Sequence, residues 1–322
     1  MNITTIGGAT VDIIVSGSHG ARGEGAKQDV DSIGLHMGGG AVNAALGFLA
    51  CGADAVHAVC AVGSDVEGAW LRASLARGGV GLDGLQVIER APTGKAVVHL
   101  AADGEASVFA QRGASVQLSV DAMPAHLLEA GMVYVSALSD AAATELAAAL
   151  KATRQRPSRL VLNPGARQLA SAGASLSSLL DMADLVCVNA HEAQLLAGVP
   201  PGDVNAHPTG LALDGLQDLL ARIGRRTRAG VLVTLGPKGA AFFNGRETHH
   251  CPAAVTRVVS TLGAGDAYAS AFAFHWASGE GARQAMTAAT ARAAAVLGVA
   301  AANLGGQLAS SLVERLGVDA VD

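Results

Sequence analysis

An aspartate set just inside a glycine turn is the residue of this chain best placed to do chemistry. It lies in Ser260-Thr261-Leu262-Gly263-Ala264-Gly265-Asp266-Ala267. Val255, Val258 and Val259 lead in as a predicted strand, and a helix is predicted over Ala264–Ala277. A strand, a turn of small residues and a helix start aim backbone N–H groups and the positive end of a helix dipole at one spot. Such a spot holds negative charge well. Asp266 has no obvious packing role there. It suits a base that takes a proton from a hydroxyl attacking a phosphoryl group.

Five other clusters carry polar or glycine-rich chemistry. Gly7-Gly8-Ala9-Thr10-Val11-Asp12 follows the first apolar run, so Asp12 either grips two hydroxyls of a polyol or serves as a turn or cap aspartate. In Gly38-Gly39-Gly40-Ala41-Val42-Asn43, the glycines before a helix let a ligand approach backbone, and Asn43 caps the helix or bonds that ligand. The spacing does not satisfy G-x-G-x-x-G, which disfavours a nicotinamide cofactor. Asn189-Ala190-His191-Glu192 reads as a capping box, or as a place for phosphates and the waters of Mg²⁺. Thr234-Leu235-Gly236-Pro237-Lys238-Gly239 ends a strand and begins a hairpin open to a nucleotide. Lys238 meets phosphate there or is a solvated turn lysine, and no P-loop spacing exists. In Gly63-Ser64-Asp65-Val66-Glu67-Gly68, Ser64 or Asp65 caps a helix.

These clusters need elements to position them. Strands are predicted at Ile3–Ile6, Ala55–Ala61, Met132–Val135, Leu160–Leu162, Leu185–Val188 and Val231–Thr234. Helices are predicted at Ala41–Cys51, Glu67–Arg77, Ala141–Ala152, Leu213–Arg226, Ala264–Ala277 and Ala282–Ala301. Near-continuous apolar strands alternating with helices imply an α/β fold, with a mostly parallel sheet covered on both faces. Ligands in such sheets bind beyond the carboxyl ends of the strands. Two segments, about 12–36 and 85–112, break the alternation with short strand-like pieces and turns at Ala91-Pro92-Thr93-Gly94 and Asp103-Gly104. They are read as a small separate sheet forming a lid, against an edge extension of the main sheet. Val318–Asp322 is expected to fray.

Composition narrows the classes. Half of the 322 residues are hydrophobic and 15% are charged, so a large core is within reach and disorder is not expected. A net charge of −5 without a dense Lys/Arg run argues against nucleic acid. Arg225, Arg226 and Arg228 are the nearest approach to a basic patch, at a predicted helix end that suits cations. The longest uncharged run, Ser32–Ala53, is broken by glycines, His36 and Asn43, and makes a poor membrane span. Cys51, Cys60, Cys187 and Cys251 lack C-x-x-C spacing and read as free thiols of a cytoplasmic protein. His99, His191, His249 and His250 lack metal-ligand spacing.

Taken in order, Gly7-Gly8…Asp12, Gly38-Gly39…Asn43, Gly63-Ser64-Asp65…Gly68, Asn163-Pro164, Asn189…Glu192, Thr234-Leu235-Gly236…Gly239 and Gly263-Ala264-Gly265-Asp266 resemble the ribokinase-like (PfkB) carbohydrate kinase family. The resemblance spans nearly all of residues 1–322 as one kinase domain. It implies a three-layer α/β/α fold with a small β-sheet lid. It also implies an ATP-dependent phosphotransferase acting on a hydroxyl of a ribose-like pentose or related sugar. A nucleoside kinase of the same family is the alternative, and a non-catalytic sugar- or nucleotide-sensing protein is the alternative of another class. On this resemblance Asp266 is the general base, and the N–H groups of Gly263, Ala264, Gly265 and Asp266 form the anion hole. Asp12, Gly39, Gly40 and Asn43 hold the acceptor. Asn189, Thr234, Gly236, Gly239 and Thr261 line the nucleotide site, and Glu192 holds Mg²⁺ through water. The lid also implies a homodimer contact. Three departures stand out. The family's acid before the glycine turn, which helps bind a monovalent cation, is Ser260 here, which puts K⁺ dependence in doubt. Thr10 and Gly40 stand where ribokinase itself has Asn and Lys. Ser136-Ala137-Leu138-Ser139 lacks its glutamate.

Overall fold

A computed structural model describes residues 1–17, 27, 29–100, 106–153, 157–171, 173–199, 213–226 and 230–303. In chain order its elements are β1 (Asn2–Ile6), β2 (Thr10–Ser16), β3 (Ser32–Gly38), α1 (Gly40–Ala50), β4 (Ala55–Gly63), α2 (Val66–Arg77), β5 (Leu85–Ile88), β6 (Gly94–Leu100) and β7 (Ala106–Gln111). There follow β8 (Met132–Ser136), α3 (Asp140–Ala152), β9 (Arg159–Asn163), α4 (Ala166–Ser171), α5 (Ala174–Met182), β10 (Leu185–Asn189) and α6 (Ala190–Ala197). The last are α7 (Leu213–Arg226), β11 (Gly230–Thr234), β12 (Ala240–Phe243), β13 (Thr248–Cys251), α8 (Ala264–Ala277) and α9 (Ala282–Leu297).

The six predicted runs from Ile3–Ile6 to Val231–Thr234 become strands of one nine-stranded sheet, ordered β13-β12-β11-β10-β9-β8-β1-β4-β5. From β11 to β5 neighbouring strands run parallel, while β12 and β13 close one edge antiparallel. Alternation along each strand serves two cores. Val133, Val135, Val186, Val188, Val231 and Val233 face one core with Leu146, Leu179 and Leu220 of the helices on that side. Tyr134, Leu185, Cys187 and Leu232 face the other, with Phe48, Leu71, Phe272 and Met286. Both faces being covered is the physical reason these strands read as unbroken apolar runs. Among the described residues no helix is long and apolar enough to cross a membrane.

The chain leaves β1 for β4 on one side of the sheet and returns to β8 on the other. Strand order reverses at β1, and sheets of this kind hold ligands beyond the carboxyl ends of the strands near such a reversal.

The lid is a separate four-stranded sheet, ordered β3-β2-β6-β7. Its inner face, with Ile14, Ala96, Val98 and Leu100, packs on Leu262, Ala300 and Ala301. One expected lid piece belongs elsewhere. Leu85–Ile88 pairs in parallel with β4 and forms the edge of the large sheet, so the edge-extension reading holds for it alone. The lid's base is tied down at the predicted turn. Asp65 caps α2, accepting from the Gly68 amide at 2.9 Å and from the Thr93 amide at 2.8 Å, and it also bonds the Thr93 hydroxyl. Lys95 pairs with Glu67 beside it.

Two further expectations are corrected. Val255, Val258 and Val259 form no strand. They are exposed in an irregular stretch, where the amides of Val259 and Ser260 bond the Leu297 carbonyl instead of a sheet neighbour. Helix α9 stops at Leu297, four residues short of Ala301, with Gly298 at its end. The Asp103-Gly104 turn, most of the Ser16–Gly25 loop, Arg228 and Val318–Asp322 lie outside the described residues.

Candidate active site

Four of the parallel strands trade their apolar run for a polar residue at the carboxyl end. Ser136, Asn163, Asn189 and Thr234 end β8, β9, β10 and β11. Register pairs Ser136 with Asn163 and Asn189 with Thr234, and between β9 and β10 Asn163 falls level with Cys187, so the polar ends form two steps two residues apart. Asn163, Asn189, Glu192, Thr234, Gly265 and Asp266 line one cleft, with Cys187 and Ala269 beneath them.

Asn189 and Glu192 are a complete capping box. The Asn189 side chain accepts from the Glu192 amide, and the Glu192 carboxylate accepts from the Asn189 amide, both at 2.9 Å. Capping leaves that carboxylate spare acceptor capacity toward the cleft. Burial pushes the Glu192 carboxyl above the usual range and the nearby charge of Asp266 adds to this, against the Asn189 and Ala166 amides.

Asp266 sits in the first turn of α8, whose cap, Gly263, is left-handed at φ 74°. A side chain at Gly263 would collide with the Ala302 backbone. The Ala264 amide makes a long bond, 3.4 Å, to the Thr261 carbonyl. The amides of Gly265 and Asp266 belong to the first helical turn, which the helix itself leaves unpaired. Asn43 of α1 donates to the Asp266 carboxylate at 2.9 Å. The two helix starts meet because α1 and α8 pack closely, Gly47 lying where a β-carbon would meet the Ser270 hydroxyl. Desolvation raises the Asp266 carboxyl above the usual range and the Asp12 charge adds to it, while Asn43 and Asn163 pull it down.

Asp12 lies on the inner face of the lid, accepting from the Thr10 hydroxyl at 2.7 Å. Its space exists because position 38 is glycine, where a β-carbon would strike the Asp12 carboxylate. Burial raises this carboxyl too, against Thr10 and His36. Gly39, at φ 92°, presses on Gly8 and Ala9, and Gly40 leaves room for Ser136, so both glycines are required by close packing of two turns.

The predicted residues thus fall on two sides of Asp266. Asp12, Gly39, Gly40 and Asn43 lie on the lid side, and Asn189, Glu192 and Thr234 on the strand-end side. Thr261, Gly236 and Gly239 do not line the cleft. Thr261 is exposed at the turn, while Gly236 and Gly239 have positive φ in the β11–β12 hairpin. Sequence reasoning left three residues without a role. Asn163 bonds the buried Tyr134 hydroxyl at 2.7 Å and also reaches Asp266. Ser136 bonds the Ile6 carbonyl at 3.2 Å, and Asn303 bonds Asn43 at 3.0 Å. A polar residue closing an apolar strand was the available signal for the first two; none existed for Asn303.

Residues 2–306 match the model of the pfkB family carbohydrate kinases. The chain is 27% identical over 246 residues to fructokinase-1 of Zea mays, covering 73% of this chain and 72% of that one. Its fold is similar to that of Arabidopsis thaliana ribokinase complexed with ribose and ATP, with TM-score 0.77, 24% identity and coverage of 97% and 98% of the two chains. It is also similar to that of adenosine kinase from Sinorhizobium meliloti, with TM-score 0.76, 21% identity and coverage of 98% and 99%. The family acts on sugar hydroxyls, and the cleft holds an acid, Asp266, in the first turn of a helix. This chain is therefore a member of the pfkB carbohydrate kinase family, a phosphotransferase acting on a sugar or nucleoside hydroxyl.

Proposed function

We propose that this enzyme moves the γ-phosphoryl group of ATP to a hydroxyl of a ribose-like pentose or related sugar, with Asp266 as general base. The observation that carries this reading is the 2.9 Å contact between Asn43 and Asp266, which joins the lid side of the site to the strand-end cleft. The acceptor lies against Asp12, Gly39, Gly40 and Asn43, and the nucleotide against Asn189, Thr234 and the hairpin of Gly236 and Gly239, with Thr261 at the mouth. As the acceptor oxygen bonds to the γ-phosphorus, its proton passes to the Asp266 carboxylate. The bond from that phosphorus to the β–γ bridging oxygen breaks, and ADP leaves. The raised affinity of Asp266 for a proton narrows the gap to the hydroxyl it must deprotonate. The first-turn amides of α8, from Gly263, Ala264, Gly265 and Asp266, face the transferred group's charge.

Mg²⁺ fits the donor set. The Asp266 charge disfavours ionisation of Glu192, and a cation held by Glu192 would relieve this. Among the described residues no cluster of His, Cys, Asp and Glu forms a protein-only cage. Mg²⁺ needs few protein carboxylates when phosphates and water complete its shell. When bound, it neutralises phosphate charge. Ser260 is buried and neutral, its hydroxyl accepting from the Leu262 amide at 3.1 Å, so turnover is expected to be the same in potassium and tetramethylammonium salts.

The lid supports a homodimer. Leu35, Ile13, Val97 and Phe109 stand in one register row on its outer face, and Leu35, Val97 and Phe109 are exposed together with Ile33. Phe109→Ser is expected to lower the mass seen by light scattering to that of one chain; a wild type that is already monomeric refutes this part. Four unpaired thiols suit a reducing cytoplasm.

The test is ADP release with ATP and Mg²⁺ across a panel of pentoses, hexoses and nucleosides. Turnover of free pentoses supports the reading. Turnover confined to nucleosides favours the second reading, a nucleoside kinase, which the lack of an acid at Ser136–Ser139 and the small Gly40 also suit.

A further inference from the structure

Asn43 can serve Asp266 in only one orientation. An ionised carboxylate accepts hydrogen bonds and donates none, so Asn43 must turn its NH₂ toward Asp266. Its carbonyl oxygen then points the other way and needs a donor. Asn303, in the loop beyond α9, supplies it, its Nδ2 lying 3.0 Å from Asn43 Oδ1. The same NH₂ group also donates to the Met37 carbonyl in β3 at 2.8 Å. Both hydrogens of one amide are thus used, one on the lid strand and one on the residue that touches Asp266.

We infer that Asn303 is a positioning residue for phosphoryl transfer, holding the Asn43 amide in the orientation that presents its NH₂ to Asp266 and tying that orientation to the lid. The surrounding packing gives the loop this reach. Ala300 and Ala301 lie under the lid's inner face, and the Ala302 backbone fills the space above Gly263. One short loop therefore touches the lid, the glycine turn and Asn43. The inference rests on the reading of Asp266 as the base.

Chemistry separates this role from space-filling. Asn303→Asp keeps the shape but offers only acceptors to two groups that are themselves acceptors, Met37 O and Asn43 Oδ1. Asn43 then satisfies the new carboxylate by rotating its amide, which brings its oxygen against Asp266. Asn303→Ala removes the donor without forcing that rotation. The expected order at saturating ATP and acceptor is a loss of kcat of roughly 100-fold for Asn303→Asp, through a misplaced base. Asn303→Ala loses roughly two- to twelve-fold, the worth of one hydrogen bond. KM for ATP stays unchanged in both. In an Asn43→Ala background neither substitution at 303 lowers kcat further, because the residue it acts through is gone.

Two results overturn the inference. One is Asn303→Ala costing kcat as much as Asn303→Asp or more. The other is losses at 43 and 303 that simply multiply. If Asn303→Asp does not fold, the second result is still readable from Asn303→Ala and Asn43→Ala, singly and together. Asp266→Asn, measured alongside, keeps the two readings apart. Retained turnover there removes the base, whereas a dead Asp266→Asn with independent effects at 43 and 303 removes only the positioning role.

Discussion

In the nine-stranded sheet both faces lie under helices. In the four-stranded lid one face is covered, and the other carries Ile33, Leu35, Val97 and Phe109 to solvent. The site draws on both. The large sheet contributes the strand ends Ser136, Asn163, Asn189 and Thr234, whose spacing is set by the ladder. The lid contributes Asp12 from mid-strand, held over the site by an apolar underside and a polar root at Asp65, Glu67, Thr93 and Lys95. Strand ends suit a ligand shared by a whole family, because their positions follow from the sheet. A lid strand can change its inward residues without disturbing the main core, so under the proposed function acceptor choice is the feature it is free to vary. The difference predicts that damage on the two sides separates in kinetics, with Asp266 between them belonging to both.

The largest effect tests that shared position. Asp266→Asn is expected to cut kcat by roughly 10²–10⁴-fold while ATP binding, followed by calorimetry, persists. The same variant should be more stable at neutral pH. A carboxyl raised in the folded state holds its proton more tightly there than in the unfolded chain. Stability therefore falls as pH rises from the unfolded value toward the folded one, and at pH 7 the ionised Asp266 is a net cost. A higher melting temperature that disappears in acid checks the sign.

Asp12→Ala should raise KM for the acceptor by roughly 10- to 100-fold, the worth of hydrogen bonds to a charged group, and leave KM for ATP alone. A change in both constants would break the division between lid and strand ends. Asp65→Ala should cost about 1–2 kcal/mol of stability as a lost helix cap. Burial works against ionisation of Asp65, but the Thr93 hydroxyl and amide, the Gly68 amide and Lys95 together hold its carboxyl below the usual range. Its contribution is then present above the unfolded value and lost as pH falls through the folded one, so the difference in melting temperature should shrink in acid. Thr234→Val is expected to be the mildest change, a roughly two- to twelve-fold rise in KM for ATP with the acceptor constant unmoved.

Legibility in the sequence followed the same division. The large sheet was readable because strands buried on both faces must be apolar along their length, as in Val231–Thr234 and Leu185–Asn189. The lid was harder. Leu85–Ile88 looks like its neighbours in sequence, yet it extends the main sheet, since local pattern does not say which edge a strand joins. Val255–Val259 has strand composition and no strand partner, so its amides turned to Leu297.

By itself the sequence determined the α/β class, the strand and helix positions of the core, and the residues of Gly263-Ala264-Gly265-Asp266 and Asn189…Glu192, because these depend on local periodicity and short-range turn and cap chemistry. Only the tertiary structure decided that Asn43 and Asp266, 223 positions apart, touch, and that Asn303 closes the line behind them. Those contacts depend on how closely α1 packs on α8 and where the loop beyond α9 comes to rest. Packing between distant elements leaves no periodic trace in any one of them.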